Sequence, residues 1–345
     1  MPASSTRPKL TRRQWLLAAA GTGAAASGAA ADRAPVRFAL NRGPYDASNG
    51  PFLLAQDRGR FETEGVEVEF SLSHDAADAL QRVASDEFDF GFVDLSVLML
   101  AALRSGQPSP LGVFVVFDRS PACVVTWKAA GASGAQGLTG KRLAVVEGDG
   151  AYQMFPLFLR AAGVDAEAIR LQKVTLAQRE ATMLRREVDG AVGFDSTIAF
   201  KLRAAGIGWD EFDIRYFADA GLDLVSNTVI VSRRMLQTRP QLVAGVVRAC
   251  ARGWRDALAQ PQALLDALAR RSPGLDAKKE AERFEWLRRH QIVTPAVLQR
   301  GLGAADPARL ARLLAQMQAG VPAGAAPGPF YSDAYLPALA DRLVV

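Results

Sequence analysis

The chain has 345 residues, of which 49% are hydrophobic and 22% charged, with a formal net charge of +5. That length suits two globular domains at ~150 residues each, and the apolar content suffices for both cores. Arg7, Lys9, Arg12 and Arg13 fall in a segment that reads as removable, so the remainder is close to neutral and its charge makes no case for a nucleic-acid partner.

The first segment is an address rather than a piece of fold. The basic stretch precedes a mildly apolar run from Trp15 to Ala26, and Ala29 and Ala31 form an A-x-A cleavage signal before Asp32. The run is too short and too weakly apolar for a membrane span. Thr11-Arg12-Arg13-Gln14-Trp15-Leu16-Leu17 resembles a twin-arginine export signal. Residues 1–31 are therefore expected to be a signal peptide, and the mature chain to be periplasmic.

From Val36 onward, short apolar strands alternate with helical patterns. "VRFAL", "VEVEF", "FDFGFV" and "PLGVFVVF" read as strands, with helices between them. A second round follows "DRSPA", with strands at "CVVTWK", "KRLAVVEG", "IRLQKV", "VDGAVGF" and "FDIRYF". "SNTVIVS" is one more strand, and the chain after Arg233 reads as helix. This alternation predicts an α/β fold with mostly parallel sheets covered on both faces. Two units joined by crossings at Asp118–Pro121 and Ala218–Val225 make two lobes with a cleft between them. The expected division is 32–117 plus 222–345 for one lobe and 118–221 for the other.

Ligands of open α/β sheets bind outside the carboxyl ends of the strands. That rule selects five loops: 41–49, 73–74, 94–96, 148–153 and 194–196. The first offers Tyr45, Asp46, Ser48 and Asn49, and the second His74. The third offers Asp94 and Ser96. The fourth offers Gly148, Asp149, Gly150 and Ala151, with free N–H groups where a helix begins. The fifth offers Phe194, Asp195 and Ser196. Each Asp or Ser, taken singly, also suits a helix N-cap. Together, Asp46, Asp94, Asp149 and Asp195 would repel one another unless they faced a cation or N–H donors. That favours a ligand with amino or ring N–H groups stacked on Tyr45 or Phe194, while Arg42 and Arg119 are available to an anionic group on the same molecule.

The histidines are His74 and His290. No H-E-x-x-H or C-x-x-C spacing exists, so no metal site is expected, nor any cofactor: no Walker A sequence occurs, and "GDGAYQ" lacks the third glycine of a dinucleotide fingerprint. Cys123 and Cys250 either pair or lie buried as thiols, the second being the simpler arrangement.

"GPFLLAQDRGRFETEGVEVEF" resembles the opening of periplasmic substrate-binding proteins of ABC importers, the nitrate/sulfonate/taurine and thiamine-pyrimidine class, at Ala55, Gly59, Phe61, Gly65, Val66 and Val68. "DFGFVDLSVLM", "LTGKRLAVVEGDGAYQMFPLFLRAAGVD", "VDGAVGF", "GLGAADPARLARLL" and "FYSDAYLP" are similar to later family segments. The resemblance implies a type II two-lobe binding protein that closes on a small molecule and presents it, as a monomer, to a permease and ATPase. It implies ligand contacts around Tyr45, Asp46, Asp94, 148–151 and Asp195. The carboxylates depart from sites for simple anions such as nitrate or sulfonate. An enzyme on the same fold, desulfinase-like or pyrimidine-synthesising, is the alternative, with His74 as its one candidate group. The desulfinase route needs an activated cysteine, which the first loop lacks. An accessory domain without its own importer is a weaker third reading.

Overall fold

The computed structural model describes residues 35–40, 45–319 and 328–344. Residues 1–31, expected to be a signal peptide, and Arg42 lie outside the described residues.

In chain order, the first unit runs β1 (Val36–Leu40), α1 (Gly50–Asp57), β2 (Val68–Leu72), α2 (Ala76–Ala84), β3 (Phe90–Asp94), α3 (Leu95–Ser105) and β4 (Leu111–Val115). The second runs β5 (Ala122–Trp127), β6 (Arg142–Val145), α4 (Gly150–Ala161), β7 (Arg170–Lys173), α5 (Leu176–Leu184), β8 (Gly190–Phe194), α6 (Asp195–Ala204) and β9 (Phe212–Tyr216). Then come β10 (Asn227–Val231), α7 (Arg233–Thr238), α8 (Pro240–Ala259), α9 (Pro261–Arg271) and α10 (Ala277–Leu287). A π-turn (Arg288–Ile292), α11 (Pro295–Arg300) and α12 (Pro307–Gln318) follow.

The strands form two five-stranded sheets, ordered β2-β1-β3-β10-β4 and β7-β6-β8-β5-β9. The chain therefore passes between sheets twice, after β4 and after β9. Parallel pairing holds for β1 with β2 and β3, and for β6 with β7 and β8. β10 and β5, the strands that arrive from the other sheet, run antiparallel to both neighbours, so each sheet is mixed. A strand that enters at the end where its neighbours finish has no other direction available.

Side-chain alternation explains how each strand serves two layers. Val36, Phe38 and Leu40 of β1 enter one core with Phe52, Phe92 and Trp254, while Ala39 between them enters another. The first core carries the C-terminal helices through Trp254, Phe284 and Leu287. The other core continues through Phe217, Leu222, Leu224 and Val225 of the second crossing into Val124, Leu143 and Phe158 of the second sheet.

Arg309 on α12 binds both crossings. Its guanidinium donates to Asp118 Oδ1 at 3.1 Å and to Leu224 O at 2.7 Å. Cys123 and Cys250 are buried, unpaired and in different cores. No described helix is long and apolar enough to cross a membrane.

Candidate functional site

The parallel strands of both sheets end at one cleft of about 180 Å³. On the first-sheet side it is lined by His74, Asp75 and Ala76 after β2, Asp94 at the end of β3, and Asn227 at the head of β10. Opposite stand Val146, Gly148, Asp149 and Gly150 after β6, Leu176 after β7, and Phe194 at the end of β8. Among the described residues no lysine or arginine lines it.

The walls meet. A Cβ on Gly148 would overlap the Asp75 carboxylate, and one on Gly150 would stand 3.3 Å from Val97 Cγ2. Glycine at 148 is thus what lets the second sheet's loop close against the first.

Each cleft aspartate is also a helix cap. Asp75 Oδ1 accepts from Asp78 N at 2.9 Å, Asp94 Oδ1 from Ser96 N at 2.8 Å and Asp149 Oδ1 from Ala151 N at 2.9 Å. Capping uses one oxygen and leaves the other for a second partner. For Asp94 that partner is Ser226 Oγ, at 2.7 Å. Burial pushes its pKa up from 3.8 to about 6, against the pull of Ser226 and the backbone donors. For Asp149 the partner is Arg179, at 2.7 Å. Arg179 has no exposed surface and also binds Glu180 Oε1 at 2.8 Å. Burial alone would lower the Arg179 pKa, but the two carboxylates reverse the direction. Gly193 makes room for this ion: a Cβ there would overlap the guanidinium. Asn227 is 2% exposed, and its Oδ1 accepts from Ser226 Oγ at 3.4 Å.

Of the sequence candidates, His74, Asp94, Gly148, Asp149, Gly150 and Phe194 line the cleft. Ala151 and Ser96 lie just behind as capping partners, and Ser96 Oγ donates to Val225 O at 2.7 Å. Ser196, buried, donates its N–H to Asp195 Oδ1. Asp195 does not line the cleft: it is fully buried beneath, accepting from Tyr216, Trp286 and Gln291. Burial raises its pKa, against those donors.

The described part of the first loop, 45–49, stands apart from the cleft. Asp46 accepts from Ser48 Oγ at 2.6 Å and Arg283 Nη1 at 3.1 Å, and Asn49 Oδ1 accepts from Asp46 N at 3.1 Å. Tyr45 packs with the first core beside Phe70. Arg119 pairs with Asp219 at 3.7 Å near the crossing. The carboxylates at the cleft are thus Asp75, Asp94 and Asp149.

The carboxyl-end rule passes over Asn227, because an antiparallel strand brings its amino end to the same pole. Leu176 follows β7, a carboxyl end that could have been selected. Asp75 is adjacent in sequence to His74.

A family model described as NMT1/THI5 like matches residues 47–264. A riboflavin-binding protein of Chloroflexus aurantiacus is 27% identical over 253 residues, 72% of this chain and 70% of that protein. The 4-amino-5-hydroxymethyl-2-methylpyrimidine phosphate synthase of Legionella pneumophila is 25% identical over 229 residues, 65% of this chain and 70% of that one. The alkanesulfonate-binding protein SsuA from Xanthomonas axonopodis, solved with MOPS, superposes with a TM-score of 0.60 at 18% identity, covering 81% of this chain and 94% of that one. This last likeness is one of fold.

Proposed function

The chain belongs to the NMT1/THI5-like family, whose model spans most of it, and from that premise we propose a solute-binding receptor of an ABC importer. The proposed receptor is exported to the periplasm by the twin-arginine route and acts as a monomer. Its lobes, 32–117 plus 222–345 and 118–221, rotate about the two crossings and trap the ligand between them. The ligand is a small heteroaromatic molecule carrying amino or ring N–H groups, such as a pyrimidine.

One observation carries the ligand class: the cleft offers Asp75, Asp94 and Asn227 as polar partners beside the ring of Phe194, with no lysine or arginine among the described residues that line it. An anion such as a sulfonate would meet carboxylates there, with no counter-charge from the described lining. A volume of about 180 Å³ also suits one substituted ring, since cavities of ~150 Å³ take benzene. A three-ring flavin would require a wider opening. A micromolar affinity needs only ~8 kcal/mol, within reach of a few hydrogen bonds and a stacked ring.

Isothermal titration with 4-amino-5-hydroxymethyl-2-methylpyrimidine, riboflavin and ethanesulfonate tests this. Micromolar binding of the pyrimidine alone is expected, and binding of ethanesulfonate alone would overturn the ligand class. A pyrimidine-synthesising enzyme is the second reading, favoured by His74 at the cleft and by the name of the Legionella relative. Its sign would be product formation by the purified chain rather than binding.

A further inference from the structure

Asp195 is fully buried, yet its Oδ2 accepts three side-chain hydrogen bonds: Tyr216 OH at 2.7 Å, Trp286 Nε1 at 2.8 Å and Gln291 Nε2 at 2.9 Å. Tyr216 belongs to the second sheet, and Asp195 opens α6 directly after β8 of that sheet. Trp286 and Gln291 belong to α10 and the π-turn after it, and these are anchored on the other side. Phe284, Leu287 and Ile292 lie in the first core. Glu280 accepts from Ala47 N at 2.9 Å, and Arg283 reaches Asp46 at 3.1 Å. The π-turn rotates Gln291 inward to the same carboxylate, and its carbonyl accepts from Arg119 N at 3.1 Å on the first crossing. Around this point Trp286 stacks on Trp209 of the second sheet's unit, with centroids 4.9 Å apart at 9°, and meets Phe200 edge-on.

We infer that Asp195 is the acceptor of an interlobe latch, closed by Trp286 and Gln291 from the first lobe, that sets the balance between the open and closed cleft. The inference rests on the hinged reading above. A buried carboxylate holds its donors strongly, because separation leaves it without partners. Hydrogen bonds of 2.8 and 2.9 Å are lost once the donors retreat by about 1 Å. A small rotation at the latch therefore breaks both interlobe bonds and parts the tryptophan stack, so closure is two-state rather than graded. Because apparent affinity scales with the closed fraction, the latch tunes binding without touching the ligand.

Double electron–electron resonance on the ligand-free mature chain tests this, with nitroxides at Gln81→Cys and Gln172→Cys, both exposed and on opposite lobes. Trp286→Phe combined with Gln291→Leu removes both interlobe donors and keeps an aromatic ring. The expected result is a longer-distance population at least roughly tenfold larger than in the parent. Gln291→Leu alone, which keeps the indole, shifts the same way by less. Val243→Ala, which weakens the first core at α8 rather than α10, leaves the distances unchanged. Distances matching the parent in a natively folded double variant would overturn the latch. No ligand enters the measurement, so it fails or succeeds apart from the titrations above.

Discussion

Asp94→Asn should stabilise the fold at neutral pH. The carboxyl has an ordinary pKa of 3.8 and a folded-state pKa of about 6, because burial penalises its charge. Between those values the folded chain holds a proton that the unfolded chain has released. The stability due to Asp94 is therefore whole below pH 3.8 and is lost as pH rises through about 6. Two pKa units correspond to about 3 kcal/mol, of which about 2 kcal/mol falls between pH 4.5 and 7.5. Asparagine carries no charge and keeps the geometry. Its Oδ1 can accept from Ser96 N and Val97 N as Asp94 does, and its amide can donate to Ser226 Oγ. Urea unfolding followed by circular dichroism at pH 4.5 and 7.5 is the assay. The stability of the variant relative to the parent should rise by about 2 kcal/mol across that interval. An unchanged difference at the two pH values would show that burial does not hold this group above its ordinary range. The stability forgone by the parent is the kind of cost a binding site carries for keeping a carboxylate in a closed cleft.

Three other outcomes follow from the cleft. Gly148→Ala places a methyl group against the Asp75 carboxylate, so ligand affinity measured by titration should fall at least roughly tenfold, about 1.4 kcal/mol, with little change in melting temperature; a large loss of thermal stability with normal affinity would contradict this. Arg179→Met removes the buried cation that bridges Asp149 and Glu180 and should cost about 3–5 kcal/mol in urea unfolding. Asn227→Ala should weaken binding while Tyr45→Ala leaves it intact, since only the first lines the cleft; calorimetry on both variants would expose the reverse pattern.

The order of strands and helices, the two crossings and the pole at which most of the strand-end loops gather were legible from hydrophobic periodicity and the carboxyl-end rule, because these depend on local patterns. The cap propensity of Asp94 and Asp149 was legible for the same reason: a helix start is a matter of three or four neighbouring residues. Which aspartates face the cleft was not. Asp46 is turned to Arg283 and Asp195 to Trp286 and Gln291, partners 91 to 237 residues away that only the tertiary packing brings near. The neutralisation of Asp149 by a buried arginine depends on the space left by Gly193, and Asn227 reaches the cleft because β10 runs against its neighbours. Local patterns in a chain encode which groups cap helices and end strands. The desolvation and pairing that leave one carboxylate at the cleft and hold another in the frame arise only where distant segments meet.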